Sequence, residues 1–326
     1  MTPKFIISYL KKSHRILSEL GHREDVSVLR LWADSVWSFM LYGCTIRQYV
    51  DGGFFRYSSF EREKVFTCRK YFKFMGAVND KSAIRFLEDK SLFNRHFANY
   101  VHRRWLTSKG MTEDDFVALC SGEKGIIVKP LGGMEGDGIY KVPASQLADD
   151  EKRKSVFKKL KGTDSIIEEL IKQHPEMCFG SESVNTIRAI TIMDKQTHVV
   201  TMLKTVLRAG VGDAVVDNYH QGGCCYEVDV ATGRVCSFGV STRGSNLIFH
   251  PGTDTCMLGY AIPNWDKVID GCIKAHALLP ECRYISWDVA VTPEGMELIE
   301  GNHNGDYDMI EFVGRGKHWP TLKKYM

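Results

Sequence analysis

The chain has 326 residues, 44% hydrophobic and 25% charged, a composition typical of a globular protein with two or three packed lobes. No apolar run approaches the ~20 residues of a membrane-spanning helix, and the first residues lack the apolar core and cleavage site of a signal peptide. Ten cysteines without a C-x-x-C pair indicate reduced thiols and no zinc site, so we expect a cytoplasmic protein.

The net charge of +3 is unevenly distributed. Residues 1–110 contain 20 Lys+Arg and 10 Asp+Glu, whereas the remaining residues contain 23 and 30. The excess can reflect solvated helix faces. It can also attract an anionic partner, such as a phosphate-bearing substrate or membrane headgroups, which would place the protein at the inner face of the membrane.

Residues 1–78 are predicted to be mainly helical. In the segment FIISYLKKSHRILSEL the apolar residues recur at helical spacing near one face: Phe5, Ile6, Tyr9, Leu10, Ile16, Leu17 and Leu20. This face can pack against the body of the protein or lie on a membrane. An aromatic and basic segment at 51–72 has no nucleic-acid-binding motif beside it, so we interpret it as packing and expect no nucleic-acid partner.

Residues 79–101 are predicted to be helical, with Asp89 capping the turn that contains Lys90. The strands GIIVKP and GIYKV follow, and they flank a glycine-rich loop as an extended hairpin. The next strand, SIIEELI, contains Glu168 and Glu169 near its end.

The C-terminal half alternates strands with one helix. NTIRAITIMD and HVVTMLKTVLRAG are predicted as paired strands around DKQT. PNWDKVIDGCIKAHALL is an amphipathic helix with Pro263 in its first turn. The hairpin of YISWDVAV and MELIEGN follows, joined by TPEG.

The glycine-rich loop suits an anionic ligand. Four glycines within seven residues allow backbone N–H groups to approach phosphate closely: Gly132, Gly133, Gly136 and Gly138. The loop is not a Walker A loop, because no G-K-[ST] follows, and it runs from strand to strand, unlike a Rossmann turn. Lys129, at the end of the entering strand, can neutralise a phosphate at the loop's edge.

The final hairpin predicts a cation site. A symmetric turn near Glu294 places Asp288 opposite Glu300, and Asn302 shares a strand face with Glu300. Two opposed carboxylates repel each other unless a cation lies between them. Mg²⁺ prefers oxygen ligands and completes its shell with substrate phosphates. A solvated acidic hairpin is the alternative.

Together these motifs resemble the ATP-grasp superfamily over about residues 80–310. The resemblance implies an α+β fold in which two α+β lobes sandwich ATP, preceded by a mainly helical region at 1–78. The ATP-grasp domain would span 79–326, with a small lobe at about 115–172 and a large lobe at about 173–326.

The resemblance also implies roles for individual residues. Lys90 and Lys129 match the two phosphate-binding lysines. Glu168 or Glu169, with the backbone of Leu170 and Ile171, matches the adenine hinge. Glu176 matches a ribose contact, and the glycine-rich loop covers the phosphates. Asp288, Glu300 and Asn302 match the ligands of Mg²⁺, of which two ions are expected.

Polar residues of the central region are candidates for chemistry on the acceptor. Arg188 can pair with a carboxylate or phosphate, or form a salt bridge on a strand face. Lys204 and Arg208 are offset by four in a strand and face the same way. We assign catalytic roles to Arg188, Lys204 and His220. We assign substrate contacts to Arg208, Asn218, Asn304 and Asp306.

Shorter strings, such as NTIRAITI, DNYHQGG and WDVAVTPEGMELIEGN, resemble the sugar-transfer-associated ATP-grasp group, related to α-L-glutamate ligase-like proteins. This resemblance implies a carboxylate–amine ligase that forms an acyl phosphate from ATP. Its partners would be a small-molecule or glycan carboxylate and an amine donor, in bacterial surface polysaccharide assembly. Peripheral association with a membrane or an anionic lipid-linked glycan agrees with the basic N-terminal third.

Two alternatives share the nucleotide site. A kinase would transfer phosphate to a sugar hydroxyl or an amide and stop there. A non-catalytic ATP-binding module is disfavoured, because both lysines and all three cation ligands are present.

Overall fold

Helices form the first of two units in the computed structural model, which describes residues 3–122, 124–132, 138–181, 183–212, 222–241, 244–305, 307–314 and 316–326. One unit comprises Met1–Val78 and Asp306–Met326, and the other comprises Asn79–Gly305. The described α-helices of the first unit are α1 Pro3–Glu24, α2 Val28–Tyr42, α3 Ile46–Asp51, α4 Ser59–Arg62, α5 Cys68–Val78, α12 Tyr307–Glu311 and α13 Trp319–Leu322. Among the described residues, no helix has both the length and the apolar character needed to cross a bilayer.

Local sequence sets the ends of these helices. The N–H of Gly43 closes the end of α2 on the Phe39 carbonyl, with φ at +69°, a conformation that favours glycine. Thr45 and Gln48 form a capping box at the start of α3. Of the face predicted on α1, Leu17 and Leu20 are buried in the core of this unit and Ile16 is partly buried, whereas Tyr9 and Leu10 are exposed. The side chains of Phe5 and Ile6 lie outside the described residues.

The C-terminal segment belongs to the helical unit. Glu311 Oε1 accepts hydrogen bonds from the backbone N–H of Phe66 at 2.8 Å and of His318 at 3.0 Å. Trp319 stacks on Phe66, with ring centroids 5.9 Å apart. Lys317 forms an ion pair with Glu61 at 2.5 Å. These contacts attach residues 307–326 to α4 and the segment before α5.

The second unit contains two antiparallel sheets. Its described α-helices are α6 Arg85–Glu88, α7 Lys90–His96, α8 Glu113–Cys120, α9 Ala144–Leu147, α10 Asp150–Lys161 and α11 Trp265–His276. Its described strands are β1 Trp105–Thr107, β2 Gly125–Pro130, β3 Tyr140–Pro143, β4 Ser165–Glu169, β5 Thr186–Met193, β6 Val200–Ala209, β7 Cys224–Val228, β8 Gly239–Ser241, β9 Gly244–Leu247, β10 Tyr284–Thr292 and β11 Gly295–Asn302. Short 3₁₀ turns occur at Phe54–Arg56, Ala98–Tyr100, Pro175–Met177 and Lys323–Tyr325.

The smaller sheet has the strand order β1-β4-β2-β3. The pairing of β2 with β3 confirms the predicted hairpin around the glycine-rich loop, whereas β1 was not predicted. Ile126, Val128 and Ile167 point into a core shared with α8 and α10, because alternate residues of a strand face opposite sides. The other face of this sheet presents Lys129 and Glu168.

The larger sheet has the strand order β11-β10-β5-β6-β7-β8-β9. The predicted strand pair β5–β6 and the final hairpin β10–β11 are confirmed, but β7, β8 and β9 were not predicted. One face carries the apolar core, including Ile187, Leu207 and Trp287, against α11. The opposite face carries the charged residues of the candidate site, so the apolar core and the candidate site lie on opposite sides of the sheet.

Helix α11 holds the core face in place. It begins at Trp265 after Asn264, so Pro263 precedes the helix and does not occupy its first turn. Val268, Cys272 and Ala275 recur at helical spacing and are buried against the sheet. The predicted amphipathic helix is therefore confirmed, with its start two residues after Pro263.

A buried hydrogen-bond network ties the end of α11 to the sheet. His276 Nδ1 lies 2.7 Å from Thr191 Oγ1, and His276 Nε2 lies 2.9 Å from the Cys282 carbonyl. Trp287 Nε1 donates to the same Thr191 oxygen at 2.8 Å. Because a carbonyl only accepts, Nε2 carries the proton of the neutral ring. Burial lowers the pKa of His276 to about 4.

This network predicts acid sensitivity. Between pH 6.5 and 4 the unfolded chain protonates residue 276 while the folded chain does not, so stability falls as pH decreases through this window and levels off below it. At pH 5 the loss is about 2 kcal/mol relative to neutral pH. The free energy of unfolding in urea is measured at pH 7 and pH 5 for the wild type and for His276→Gln. The loss between the two pH values should be larger in the wild type by the amount that His276 contributes.

His22→Gln is the matched control, because His22 is exposed on α1. This control should keep the full pH dependence of the wild type. An equal pH dependence in wild type and His276→Gln would contradict the assignment of a neutral buried ring.

Candidate active site

The final hairpin carries the predicted cation ligands. Its turn lies between Thr292 and Gly295, tighter than the symmetric turn assumed from the sequence. In a regular hairpin this turn would pair Asp288 with Ile299. Instead Asp288 pairs with Glu300, because Ile299 forms a β-bulge. The predicted pairing of the two carboxylates is confirmed, and the bulge is its cause.

The bulge also changes which residues share a face. Glu297 pairs with Ala290, and Glu300 pairs with Asp288. Residues three apart on a regular strand point to opposite faces, but the extra residue turns Glu297 and Glu300 to the same side. The charged face of the larger sheet therefore receives Glu297, a carboxylate that a regular strand would have turned to the opposite face from Glu300.

Two arginines hold Asp288. Arg188 Nε lies 2.7 Å from Oδ1, and Arg208 Nη1 donates to Oδ2 at 3.0 Å. All three side chains are buried. Burial by itself raises the pKa of Asp288, but the two guanidinium groups outweigh it and lower the pKa below its usual value. Of the alternatives for Arg188, the structure displays the salt bridge on a strand face.

Glu300 lies in the opposite electrostatic situation. Burial, followed by the charge of Asp288, raises the pKa of Glu300 above its usual value. Asn302 Nδ2 donates to Glu300 Oε1 at 3.1 Å, so the third candidate ligand is in contact with the second. Asp288 Oδ1 has no well-aligned donor among the described residues, although Arg188 lies close by. A cation would relieve both the repulsion and the unsatisfied oxygen.

The donor set fits Mg²⁺. Among the described residues, no group of three or more His, Cys, Asp or Glu side chains is placed to hold a metal ion. The candidate ligands are instead the carboxylates of Asp288 and Glu300 and the amide of Asn302. Mg²⁺ is commonly held by one or two carboxylates, with substrate phosphates and water completing its shell.

Lys90, the first predicted phosphate lysine, lies within electrostatic range of Glu300 and of Lys129. Asp89 caps α7 by accepting from the backbone N–H of Ser91 at 2.8 Å, which confirms the predicted cap and places Lys90 in the first turn. Burial lowers the pKa of Lys90, Lys129 lowers it further, and Glu300 and Glu168 raise it. Lys90 is thus within electrostatic range of residues from both sheets.

Glu168 is buried and forms ion pairs with basic side chains. Lys129 Nζ lies 2.6 Å from its Oε2, and Asn94 Nδ2 donates to its Oε1 at 2.8 Å. Burial raises the pKa of Glu168, but Arg103 and Lys129 outweigh it and hold the pKa far below its usual range. This carboxylate therefore orients Lys129. The sequence had considered it for an adenine contact.

The remaining hinge candidates lie at the end of β4. The Glu169 side chain turns to the other side of the strand and forms an ion pair with Arg104. Leu170 donates its backbone N–H to the Gly125 carbonyl at 3.1 Å, and Ile171 follows it, partly buried. Glu176 is exposed in a 3₁₀ turn, and its backbone carbonyl accepts from the Tyr260 hydroxyl.

The other predicted residues have mixed positions. Lys204 is buried on the charged face, 3.4 Å from Glu227, and Arg208 shares that face. Asn304 is exposed. Gly138, with φ at +74°, closes the glycine-rich loop, and Gly132 opens it. Five predicted residues lie outside the described residues: Gly133, Gly136, Asn218, His220 and Asp306.

A family model described as "Sugar-transfer associated ATP-grasp" matches residues 69–323. The chain belongs to this family. The predicted resemblance and the predicted fold class are both confirmed. No curated protein sequence matches the chain.

Solved structures of ATP-grasp ligases are similar at low identity. The ligase PsnB complexed with a phosphomimetic variant of minimal precursor, Mg and ADP is 14% identical, with a TM-score of 0.44, over 76% of this chain and 60% of that one. PsnB with minimal precursor, Mg and ADP is 14% identical, with a TM-score of 0.46, over 81% and 67%. D-alanine–D-alanine ligase from Bacillus anthracis is 12% identical, with a TM-score of 0.40, over 72% and 64%. The chain spans less than two thirds of the first and third of these proteins.

Arg103 lies in the candidate site and was not predicted from the sequence. Arg103 is fully buried, and its guanidinium contacts Glu168 and Glu297, each at 2.9 Å. It also donates to the carbonyl of Leu298 at 2.7 Å and to that of Ile299 at 3.3 Å. Arg103 therefore binds both the bulge before Glu300 and the carboxylate that orients Lys129.

A sequence signal for Arg103 was weak. It lies in the pair Arg103–Arg104, and nothing in the pair distinguishes the buried arginine from the exposed one. Only the strand β1, which begins at Trp105, would have placed the two side chains on opposite sides.

Arg103→Met should destabilise the protein by about 3–5 kcal/mol, because it leaves two buried carboxylates without their shared cation. Arg103→Lys should not restore stability, since an ammonium cannot reproduce the planar fork that reaches both carboxylates and two carbonyls. Urea unfolding at neutral pH measures both variants.

Arg104→Met is the matched control, because the Arg104 side chain is half exposed and its ion pair with Glu169 is screened by water. We expect it to cost less than about 1 kcal/mol. Equal losses in Arg103→Met and Arg104→Met would show that the buried network does not stabilise this unit.

Proposed function

We propose that the protein is an Mg-ATP-dependent carboxylate–amine ligase. The observation that carries the proposal is that Lys90 lies within electrostatic range of Glu300, which pairs with Asp288 on the hairpin, and of Lys129 on the smaller sheet. Lysines suit the phosphates of ATP, and paired carboxylates suit the cation that accompanies them. Membership of an ATP-grasp family supports the same reading.

The proposed reaction has two steps. A carboxylate oxygen of the acceptor attacks the γ-phosphorus of ATP, the bond to the β-phosphate bridging oxygen breaks, and ADP leaves. An amine then attacks the acyl carbon of the resulting acyl phosphate, loses a proton, and expels inorganic phosphate to leave an amide. Phosphoryl transfer requires mainly positioning and charge neutralisation, which a site of fixed lysines supplies.

Asp288, Glu300 and Asn302 would hold the Mg²⁺, and two ions are expected from the family pattern. The bound ions would neutralise charge that develops on the phosphates. Glu168 keeps the Lys129 ammonium in place, and Arg188 and Arg208 keep Asp288 ionised. The chain therefore holds both the phosphate-binding lysine and the cation-binding carboxylate in place before the nucleotide binds.

The acceptor is proposed to be a sugar carboxylate of a bacterial surface polysaccharide or of its precursor. The family description associates the ATP-grasp domain with sugar transfer. Arg188, Lys204 and Arg208 lie on one sheet face with the carboxylates of Asp288 and Glu227, and three cations against these two anions leave a positive charge that suits an anionic acceptor. Asn218, His220, Asn304 and Asp306 are proposed to complete the acceptor and amine contacts.

Nucleotide binding is the first test. Calorimetric titration with a non-hydrolysable ATP analogue should show binding that depends on Mg²⁺. Glu300→Gln should weaken this binding by about tenfold or more, since a charge-assisted contact contributes ~1.5–3 kcal/mol.

Glu294→Gln is the control, because Glu294 is exposed in the turn of the same hairpin. It should bind like the wild type. Binding that ignores Mg²⁺, or equal affinities in Glu300→Gln and the wild type, would argue against the cation site.

Hydroxylamine trapping tests the chemistry without knowledge of the amine. With ATP, Mg²⁺ and a mixture of uronic acids, the ligase should form a hydroxamate, ADP and free phosphate, because hydroxylamine attacks an acyl phosphate. Lys129→Ala should lower turnover at least about a hundredfold, since it removes the positive charge that stabilises the transferring phosphoryl group. Lys109→Ala, on the exposed surface, should leave turnover unchanged.

Phosphate retained on the sugar, with no hydroxamate, would identify the kinase alternative. Nucleotide binding without turnover in any acceptor mixture would support the non-catalytic module.

A further inference from the structure

Helix α2 presents an apolar face to solvent. Leu29, Val36, Trp37 and Met40 recur at helical spacing and are 80%, 53%, 62% and 65% exposed. Phe39 and Leu41 beside them are about half exposed. A surface helix ordinarily turns such a stripe inward, so this exposed face requires a partner.

The side chains on the inward face of α2 explain why its apolar stripe faces solvent. Asp34 accepts from both Nη atoms of Arg62, at 2.6 and 2.7 Å, and from the Tyr49 hydroxyl at 2.6 Å. Arg62 also donates to Ser38 at 3.1 Å. This network commits the polar side of α2 to the interior of the helical unit, so the helix cannot rotate its apolar stripe inward without breaking it.

Helix α1 extends the exposed surface. Trp32 Nε1 donates to His14 Nδ1 at 3.2 Å, which sets the antiparallel register of α1 against α2. Moving one and two turns from His14 toward the start of α1 reaches Leu10 and Ile7, which are 48% and 55% exposed. We name these eight side chains the α1/α2 surface: Ile7, Leu10, Leu29, Val36, Trp37, Phe39, Met40 and Leu41.

Basic residues outnumber acidic ones in residues 1–42, by six to four. Of the exposed acids, Glu19 forms an ion pair with Arg15, and Asp25 lies in the turn between the helices. No Asp or Glu occurs in residues 1–18, and the single acid of α2 is Asp34, held by Arg62. Within the described part of the chain, Lys11 and Lys12 form no ion pair, and Arg30 is exposed next to Leu29. Residues 1–78 contain 13 Lys+Arg and 7 Asp+Glu.

We propose that the α1/α2 surface docks the protein on an anionic lipid membrane. Tryptophan, leucine and methionine side chains insert at the boundary of headgroups and acyl chains, while lysine and arginine bind the anionic headgroups. The docking is peripheral, in agreement with the absence of a membrane-spanning helix among the described residues. It does not depend on the proposed reaction.

Charge argues against a second copy of the chain as the partner. A symmetric dimer through this surface would bring the same net positive patch of both copies together, and like charges repel. An anionic lipid surface supplies the missing negative charge together with the apolar layer.

Vesicle co-sedimentation of the full chain tests the proposal. Wild type should sediment with vesicles of phosphatidylcholine and phosphatidylglycerol and much less with phosphatidylcholine alone, and high salt should weaken the binding. Trp37→Glu with Met40→Glu should reduce binding at least about tenfold, because two carboxylates replace apolar groups and repel the headgroups.

The control is Val199→Glu with Phe238→Glu, an equal charge change at exposed apolar residues of the other unit, and it should bind like the wild type. Failure of the wild type to bind the anionic vesicles, or equal losses in both double variants, would overturn the proposal. A concentration-dependent dimer by light scattering that Trp37→Glu with Met40→Glu abolishes would also overturn it, in favour of self-association.

Discussion

The buried guanidinium of Arg103 is the interaction on which the candidate site depends. It joins the carboxylate of Glu168, on the smaller sheet, to Glu297 and the bulged backbone of the larger sheet. Removing a guanidinium from water is costly, and two carboxylates with two carbonyls offset that cost only in this one arrangement. The same contacts therefore fix the distance between the lysine-bearing sheet and the carboxylate-bearing hairpin.

Most charged side chains of the candidate site form ion pairs with side chains of opposite charge. Asp288 is shared by two arginines, Glu168 by Arg103 and Lys129, and Lys204 by Glu227. Glu300 is the exception, since its strongest charged neighbour is another carboxylate. Because the charge of Glu300 is left uncompensated, this site suits a cation that binds together with an anionic ligand, as Mg²⁺ does with ATP.

The helical unit follows a different logic. Its polar network is internal, and its apolar stripe is external, which is the reverse of an ordinary surface helix. Hydrogen-bonded burial of Asp34 and Arg62 provides specificity for this arrangement without removing the stripe from water. The unit has an apolar core of its own, and the stripe on α2 lies outside that core, where the proposed membrane surface would cover it.

The sequence by itself determined the strands β2 to β6, β10 and β11, the amphipathic α11 and the cap at Asp89, because these depend on residues close along the chain. The sequence also predicted the pairing of Asp288 with Glu300, but from a symmetric turn and not from the bulge that causes it. It also identified Lys90 and Lys129 as site candidates. Only the tertiary structure revealed Arg103, the role of Glu168 and the bulge at Ile299. A pattern of alternation assumes a regular strand, and whether a charged side chain faces a ligand or another side chain depends on partners up to 196 residues away. That distance along the chain is why Arg103 and Arg104 look equivalent in sequence and differ in the fold.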